Sequence, residues 1–175
     1  MIPTPSIDAF RDTLPDELKD LRLNLSAVLG GENLSSQQAM LVALTSARFL
    51  HSQPLVEAVE SDIRSGFSPV ESIAIISDSI ACAGLMAMNT IYYRFRHMIE
   101  KESYQSRPAR LRMSRMAQPT TSKIDFELAS LACAALAGCQ KCMQSHEASL
   151  VGLGVSEEAC HDAVRIAAVM QGVTL

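Results

Sequence analysis

The 175-residue chain has no tryptophan, only eight glycines, no segment that alternates apolar and polar residues for long, and no apolar run that reads as a bilayer span. Each absence removes a class of answer. Without sustained alternation there is no half-buried sheet to build. With hydrophobic residues at 48% and Ala, Leu, Ile and Met plentiful, the composition is that of an all-α protein. No N-terminal basic-plus-apolar signal segment is visible, so the chain is expected to be cytoplasmic and free of the membrane. A formal net charge of −4 gives no reason to expect a nucleic-acid partner. Five cysteines in a reducing compartment do not build a structural framework, and no metal, haem or flavin motif is present, so no bound cofactor is expected.

What is there is helical periodicity throughout. Asp8 to Leu18 reads as a short amphipathic helix broken near Pro15, and Leu21 to Leu25 leads into a loop around Gly30-Gly31. Ser35 or Ser36 caps a helix from Gln37 to about Leu50. Pro54 opens the next, which runs to about Arg64 and ends at Gly66. Ser68-Pro69 starts another from Val70 to about Cys82, and the chain continues through Met86 to Ile99. A breaker-rich, basic stretch from Tyr104 to Ser122 precedes three further helices: Lys123 to Ala137, Cys139 to Val151, and Ser156 to about Met170.

The stretch Gly138-Cys139-Gln140-Lys141-Cys142-Met143-Gln144-Ser145-His146 carries the chemistry. In a helix Cys139 and Cys142 are i,i+3 neighbours and Cys142 and His146 are i,i+4 neighbours, so two thiols and a proton carrier share one face. A cysteine in the first helical turn feels the positive end of the helix dipole, and a nearby imidazole takes its proton; both favour the reactive thiolate. That is the equipment for thiol–disulfide chemistry. Two other readings stay open. Structural zinc would use Cys139, Cys142 and His146 but needs a fourth ligand, and the chain has no second CxxC or HxxxH pair. Two packed cysteines would do no chemistry at all. The polar run Gln140, Lys141, Gln144, Ser145 and His146 argues for a partly open site. Cys82, Cys133 and Cys160 sit in apolar helical surroundings and read as core.

An internal repeat emerges at an offset of 88 residues, which lays Gly66-Phe67-Ser68 on Gly154-Val155-Ser156 and Gly84 on Gly172. Under it Cys139 falls on His51, Cys142 on Pro54, His146 on Ala58 and Glu127 on Ala39, so only the C-terminal copy retains chemistry. One domain over 1–175 is expected: an N-terminal half, 1–105, without catalytic cysteines; a basic linker, 106–122; and a C-terminal half, 123–175, with the CxxC site. Glu127 precedes His146 by 19 residues. A hairpin turning at Gly138 puts about 16 Å of helix on one side and about 12 Å on the other, at roughly 1.5 Å per residue, which brings the two side chains to nearly one level. A glutamate set among Phe126, Leu128 and Ala129 is costly to bury unpaired. The other reading is a solvated edge near the helix N-terminus, which the dipole also favours.

Phe126-Glu127-Leu128, the apolar run to Gly138, and then Cys139-x-x-Cys142-x-x-x-His146-Glu147 closely resemble the alkylhydroperoxidase D (AhpD) family. Lys19-Asp20-Leu21-Arg22-Leu23-Asn24-Leu25-Ser26 and Met88-Asn89-Thr90-Ile91-Tyr92-Tyr93-Arg94 resemble it too, so the likeness covers nearly the whole chain. The resemblance implies an all-helical fold with an internal duplication, assembled as a homotrimer. It also implies a thiol-dependent peroxidase that reduces a peroxiredoxin partner of the AhpC kind with electrons from dihydrolipoamide on an acyltransferase of a 2-oxoacid dehydrogenase complex. By that pattern Cys142 becomes the sulfenic acid, Cys139 supplies a proton and resolves it as a disulfide, and His146 and Glu127 form the proton relay.

One departure matters: where relatives carry histidine before the second cysteine, this chain carries Lys141, an accessory whose charge helps a thiolate but which is no proton shuttle near neutral pH. The arginines at 94, 96, 107, 110, 112 and 115 form a basic band that reads as linker solvation, subunit bridging, or a docking patch for an acidic carrier domain. Met86, Met88, Met113 and Met116 are candidates for an interface or a substrate channel. Two rival functions fit the same helices. A decarboxylase of the related carboxymuconolactone type has no need of the CxxC. A non-catalytic redox-sensing or interaction module forms the disulfide and turns over no peroxide.

Overall fold

The computed structural model describes residues 2–174, and every regular element among them is a helix. In chain order these are α1 (Pro5–Asp12), a single 3₁₀ turn (Asp16–Leu18), α2 (Lys19–Leu29), α3 (Ser36–Phe49), α4 (Gln53–Gly66), α5 (Pro69–Met98), α6 (Glu102–Gln105), α7 (Ser114–Ala117), α8 (Lys123–Leu136), α9 (Gln140–Gly152) and α10 (Glu157–Gly172). The expected all-α class holds.

Local signals explain most of the starts. Ser35 and Gln38 form a reciprocal capping box at α3, and Ser68 and Glu71 form another at α5, where Pro69 takes the first position. Ser122 and Ser156 accept the backbone N–H of Asp125 and Ala159 at the starts of α8 and α10. At the centre lies α8, buried at every residue from Asp125 to Ala134, with α3, α5, α9 and α10 packed around it. Its small and apolar residues on all sides are what a fully surrounded helix requires. Gln37 and Gln38 of α3 both donate to Asp125, at 2.8 and 3.0 Å, tying the starts of the two central helices together.

Three expectations need correction. Leu21–Leu25 is no approach to a loop but the body of α2, whose Leu25, Val28 and Leu29 are buried against the core. Leu21 lies over Gly172 of α10, where a Cβ would stand 2.9 Å from its Cδ2, so the glycine is what lets the two helices approach. The repeat keeps an offset of 87, not 88, through its first two helices: Ser36 and Lys123 open one pair, Gln53 and Gln140 the next, while Pro69 and Glu157 are 88 apart. The extra residue sits in the longer connection between α9 and α10, which the gapless overlay spread over everything before it. Finally, α5 is long and apolar enough by length and composition to cross a membrane, with a mean hydropathy of 1.5 over 18 residues. Its inner face carries buried Asp78, Ser79, Asn89 and Thr90 and packs on α3, α8 and α9, the pattern of a core helix.

Candidate active site

The turn between α8 and α9 sets the site. Gly138 has φ +62°, Cys139 N donates to Ala134 O and Gly138 N to Ala135 O, both at 3.0 Å, so α8 closes in a left-handed glycine cap. Arg94 of α5 donates to the carbonyl of Ala137 at 2.5 Å, holding the end of α8 from the side. α9 therefore begins one residue later than the spacing predicts: Cys139 is its N-cap and Cys142 its third residue. Cys142 keeps its place in the first turn, at the positive end of the helix. The two sulfurs are joined as a disulfide, with Cα atoms 5.3 Å apart; Cys139 is 0% exposed and Cys142 6%.

Glu127 and His146 meet across the hairpin, Nδ1 to Oε2 at 2.6 Å, and the side chains are 6% and 11% exposed. The solvated-edge reading of Glu127 is thereby set aside. With Nδ1 committed to the carboxylate, the ring has Nε2 left for a second group. The sequence reasoning missed Lys123, whose Nζ bonds the other oxygen of Glu127 and also donates to the Met116 carbonyl at 3.3 Å. Its i,i+4 spacing from Glu127 was the available signal. Burial opposes ionisation of Glu127, but the hydrogen bonds and charges of His146 and Lys123 outweigh it and hold the carboxyl below its usual range.

A cavity of about 550 Å³ opens on this cluster. Asn89 and Tyr93 of α5, Met113 and Met116 of the 113–117 segment, and Lys141, Cys142 and His146 of α9 line it. Of the four candidate methionines, Met113 and Met116 reach the cavity, whereas Met86 is fully buried in the core. The segment carrying the two methionines is latched by Asp78, which accepts from Thr120 N, Thr121 N, the Thr121 hydroxyl and Arg115 Nε at 2.7–3.1 Å. Burial works against the Asp78 carboxylate, and these four donors more than offset it, lowering its pKa.

The basic band is thus partly internal. Arg94 serves a helix end, Arg115 pairs with buried Asp78, and Arg96 and Gln105 bond each other's backbone carbonyls. A helix C-terminus and a buried carboxylate each attract a guanidinium. Arg107, Arg110 and Arg112 remain exposed. Cys82, Cys133 and Cys160 are free and buried. Burial pushes the Cys133 thiol well up, with a hydrogen bond to Cys82 adding to it, and burial followed by Glu147 raises Cys160. Thiols in such surroundings are poor nucleophiles. Among the described residues no group of three or more His, Cys, Asp or Glu side chains is arranged to hold a metal ion.

Known proteins resemble the chain along its length. The carboxymuconolactone decarboxylase family model matches residues 102–175. An alkyl hydroperoxide reductase AhpD of Anaeromyxobacter dehalogenans (strain 2CP-C) is 46% identical over 97% of this chain and 89% of its own length. One from Anaeromyxobacter sp. (strain Fw109-5) is 48% identical over the same shares, and one from Rhodopseudomonas palustris (strain BisB18) is 40% identical over 97% and 92%.

Proposed function

We propose that this chain, which belongs to the alkyl hydroperoxide reductase AhpD family, is a cytoplasmic antioxidant enzyme that reduces organic hydroperoxides through a Cys139–Cys142 dithiol–disulfide cycle. The observation that carries the reading is a cysteine pair opening on a cavity through Cys142, beside a His146–Glu127 pair at 2.6 Å. In the reduced enzyme His146, oriented by Glu127, draws the Cys142 proton through Cys139 or a water. The thiolate attacks the terminal peroxide oxygen. An S–O bond forms and the O–O bond breaks, Cys142 is oxidised to the sulfenic acid, and the alkoxide leaves with a proton from Cys139. The Cys139 sulfur then displaces the sulfenic oxygen as water and closes the disulfide. A dithiol restores both thiols through a mixed disulfide, entering at Cys142, the sulfur that lines the cavity.

The donor is dihydrolipoamide on an acyltransferase of a 2-oxoacid dehydrogenase complex, and the enzyme also passes electrons to an AhpC-like peroxiredoxin. A lipoyl group on its lysine arm is slim enough to enter the cavity, and Lys141 at its rim favours thiolate on the incoming sulfur. Reduced lipoyl domain therefore restores the disulfide much faster than glutathione in stopped flow, and Lys141→Glu slows this step more than it slows reaction with a neutral hydroperoxide. Equal rates with the two donors would remove the assignment. The assembly is a homotrimer, supported by apolar side chains left in solvent along α5, among them Val70, Ile73, Ile91 and Met98. Sedimentation equilibrium giving a stable monomer at micromolar concentration would remove it.

The match of residues 102–175 to a family named for a decarboxylase favours one second reading, a decarboxylase that does without the thiols. A steady-state assay with alkyl hydroperoxide and reduced lipoamide decides between them. Peroxide consumption that stops when both cysteines are alkylated supports the peroxidase; no turnover of peroxide by the untreated enzyme defeats it.

A further inference from the structure

We propose that the cavity selects organic hydroperoxides that carry a carboxylate, and that Lys141 selects them; this rests on the peroxidase reading and names its substrate class. The cavity, at about 550 Å³, is far larger than hydrogen peroxide needs, and Tyr93, Met113 and Met116 give it an apolar wall suited to a carbon body. Two cations border it. Lys123 is engaged by the Glu127 carboxylate and the Met116 carbonyl, so its charge is spent within the protein. Lys141 is exposed on the rim, and among the described residues it takes part in no hydrogen bond or ion pair.

Lys141 is the second residue of α9, whose N-cap Cys139 provides no side-chain hydrogen bond. Its ammonium and the positive end of the helix therefore act together on an anion at the rim. Cys142, the sulfur that meets the peroxide, is the next residue and faces the same cavity. A substrate with its –OOH and its carboxylate at opposite ends of a compact apolar body spans the two. The reaction itself is unchanged: the O–O bond breaks at Cys142, the sulfur loses two electrons, and Lys141 binds the carboxylate without entering a covalent step.

The test compares para-carboxylated cumene hydroperoxide with its methyl ester, which share a reacting group and a body and differ in charge. The kcat/KM ratio of acid to ester cancels any general effect of a substitution on the thiolate. The ratio should be about fivefold in the wild type, the scale of one solvent-exposed ion pair. It should fall towards one in Lys141→Gln and in high salt, and below one in Lys141→Glu. A wild-type ratio of one, or a preference that survives in Lys141→Gln, overturns the proposal while leaving the peroxidase intact. If neither compound is consumed by the wild type, the peroxidase reading itself fails and the substrate class fails with it.

Discussion

The two helical hairpins, α3–α4 and α8–α9, are built alike and carry different side chains. Each turns in three residues through a left-handed position, His51 at φ +57° in the first and Gly138 at φ +62° in the second. The closing hydrogen bonds match: Ser52 N to Ala47 O and Cys139 N to Ala134 O, both 3.0 Å. In the 87-residue register Glu127 corresponds to Met40, Cys142 to Leu55 and His146 to Val59, all three deeply buried apolar residues. What separates the hairpins is cover. α1 packs on α4, fixed there by Asp62, which accepts from Ser6 N and Ile7 N at 2.9 Å. α4 consequently buries six residues, whereas α9 buries only Cys142 and Leu150 and leaves one side to the cavity. The hairpin that the chain leaves uncovered is the one that carries the Cys139–Cys142 pair and the Glu127–His146 contact.

The most direct way to break the comparison is to make the second hairpin as inert as the first. Cys142→Ser should abolish peroxide consumption. Cys139→Ser should leave at most a trapped sulfenic acid on Cys142, seen by a dimedone-type reagent and intact-mass analysis. Label on Cys139 in the Cys142→Ser variant would reverse the two roles.

Next in size is the Glu127–His146 pair, which has no counterpart at Met40 and Val59. Glu127→Gln and His146→Gln should each slow the peroxide step by about 10²-fold, the scale of a lost acid–base group. The double variant should be little worse than the worse single one, because the 2.6 Å contact makes them a unit. Fully multiplicative losses would show that they act separately.

The site was legible where chemistry and periodicity coincide. Spacing alone brings Cys139, Cys142 and His146 to one helix face, and a hairpin assumed at Gly138 brings Glu127 level with His146 while leaving a solvated edge open; the structure shows the four side chains together. Contacts made across the chain were not legible. Arg94 and Arg115 read as surface charge, since no local pattern reveals that a helix end 43 residues away, or a carboxylate 37 residues away, will receive them. The i,i+4 spacing of Lys123 and Glu127 does not by itself show that the ammonium serves a buried carboxylate and not solvent. α2 is not legible from Leu21 to Leu25 taken alone, and only packing against α10 makes Leu25, Val28 and Leu29 one helical face. The repeat was visible, but a one-residue insertion between α9 and α10 displaced its register.

A buried carboxylate serves as a latch twice, Asp62 of α4 holding α1 and Asp78 of α5 holding the 113–121 segment, and the two latches should differ in what they protect. Asp78→Ala removes the acceptor for Arg115, Thr120 and Thr121 and should cost roughly 3 kcal/mol in urea unfolding. It should also loosen the wall of Met113 and Met116, raising KM for bulky hydroperoxides. Asp62→Ala should destabilise without touching KM. The Asp78 carboxyl has a lowered pKa in the fold, so its contribution is complete above the unfolded-state value and is lost as pH falls through the folded-state value. Asp78→Asn should accordingly flatten part of the acid limb of stability against pH. An unchanged acid limb would show that the four donors recognise the shape of the group and not its charge.

The smallest effects lie at the two turns, where the comparison is closest. A Cβ at Gly138 would meet no heavy atom within 4 Å, so Gly138→Ala is penalised only by the left-handed backbone, partly offset by a stiffer unfolded chain. The net loss should be about 0.5–1 kcal/mol. His51 already bears that backbone penalty, with its side chain exposed, so His51→Gly should run the same balance in reverse and stabilise by about 0.5 kcal/mol. Urea titration of both variants reads the two turns on one scale. If His51→Gly destabilises as much as Gly138→Ala, the imidazole makes a contact that outweighs the backbone penalty. The first turn would then be held by its side chain, while the second is held by its glycine and by Arg94.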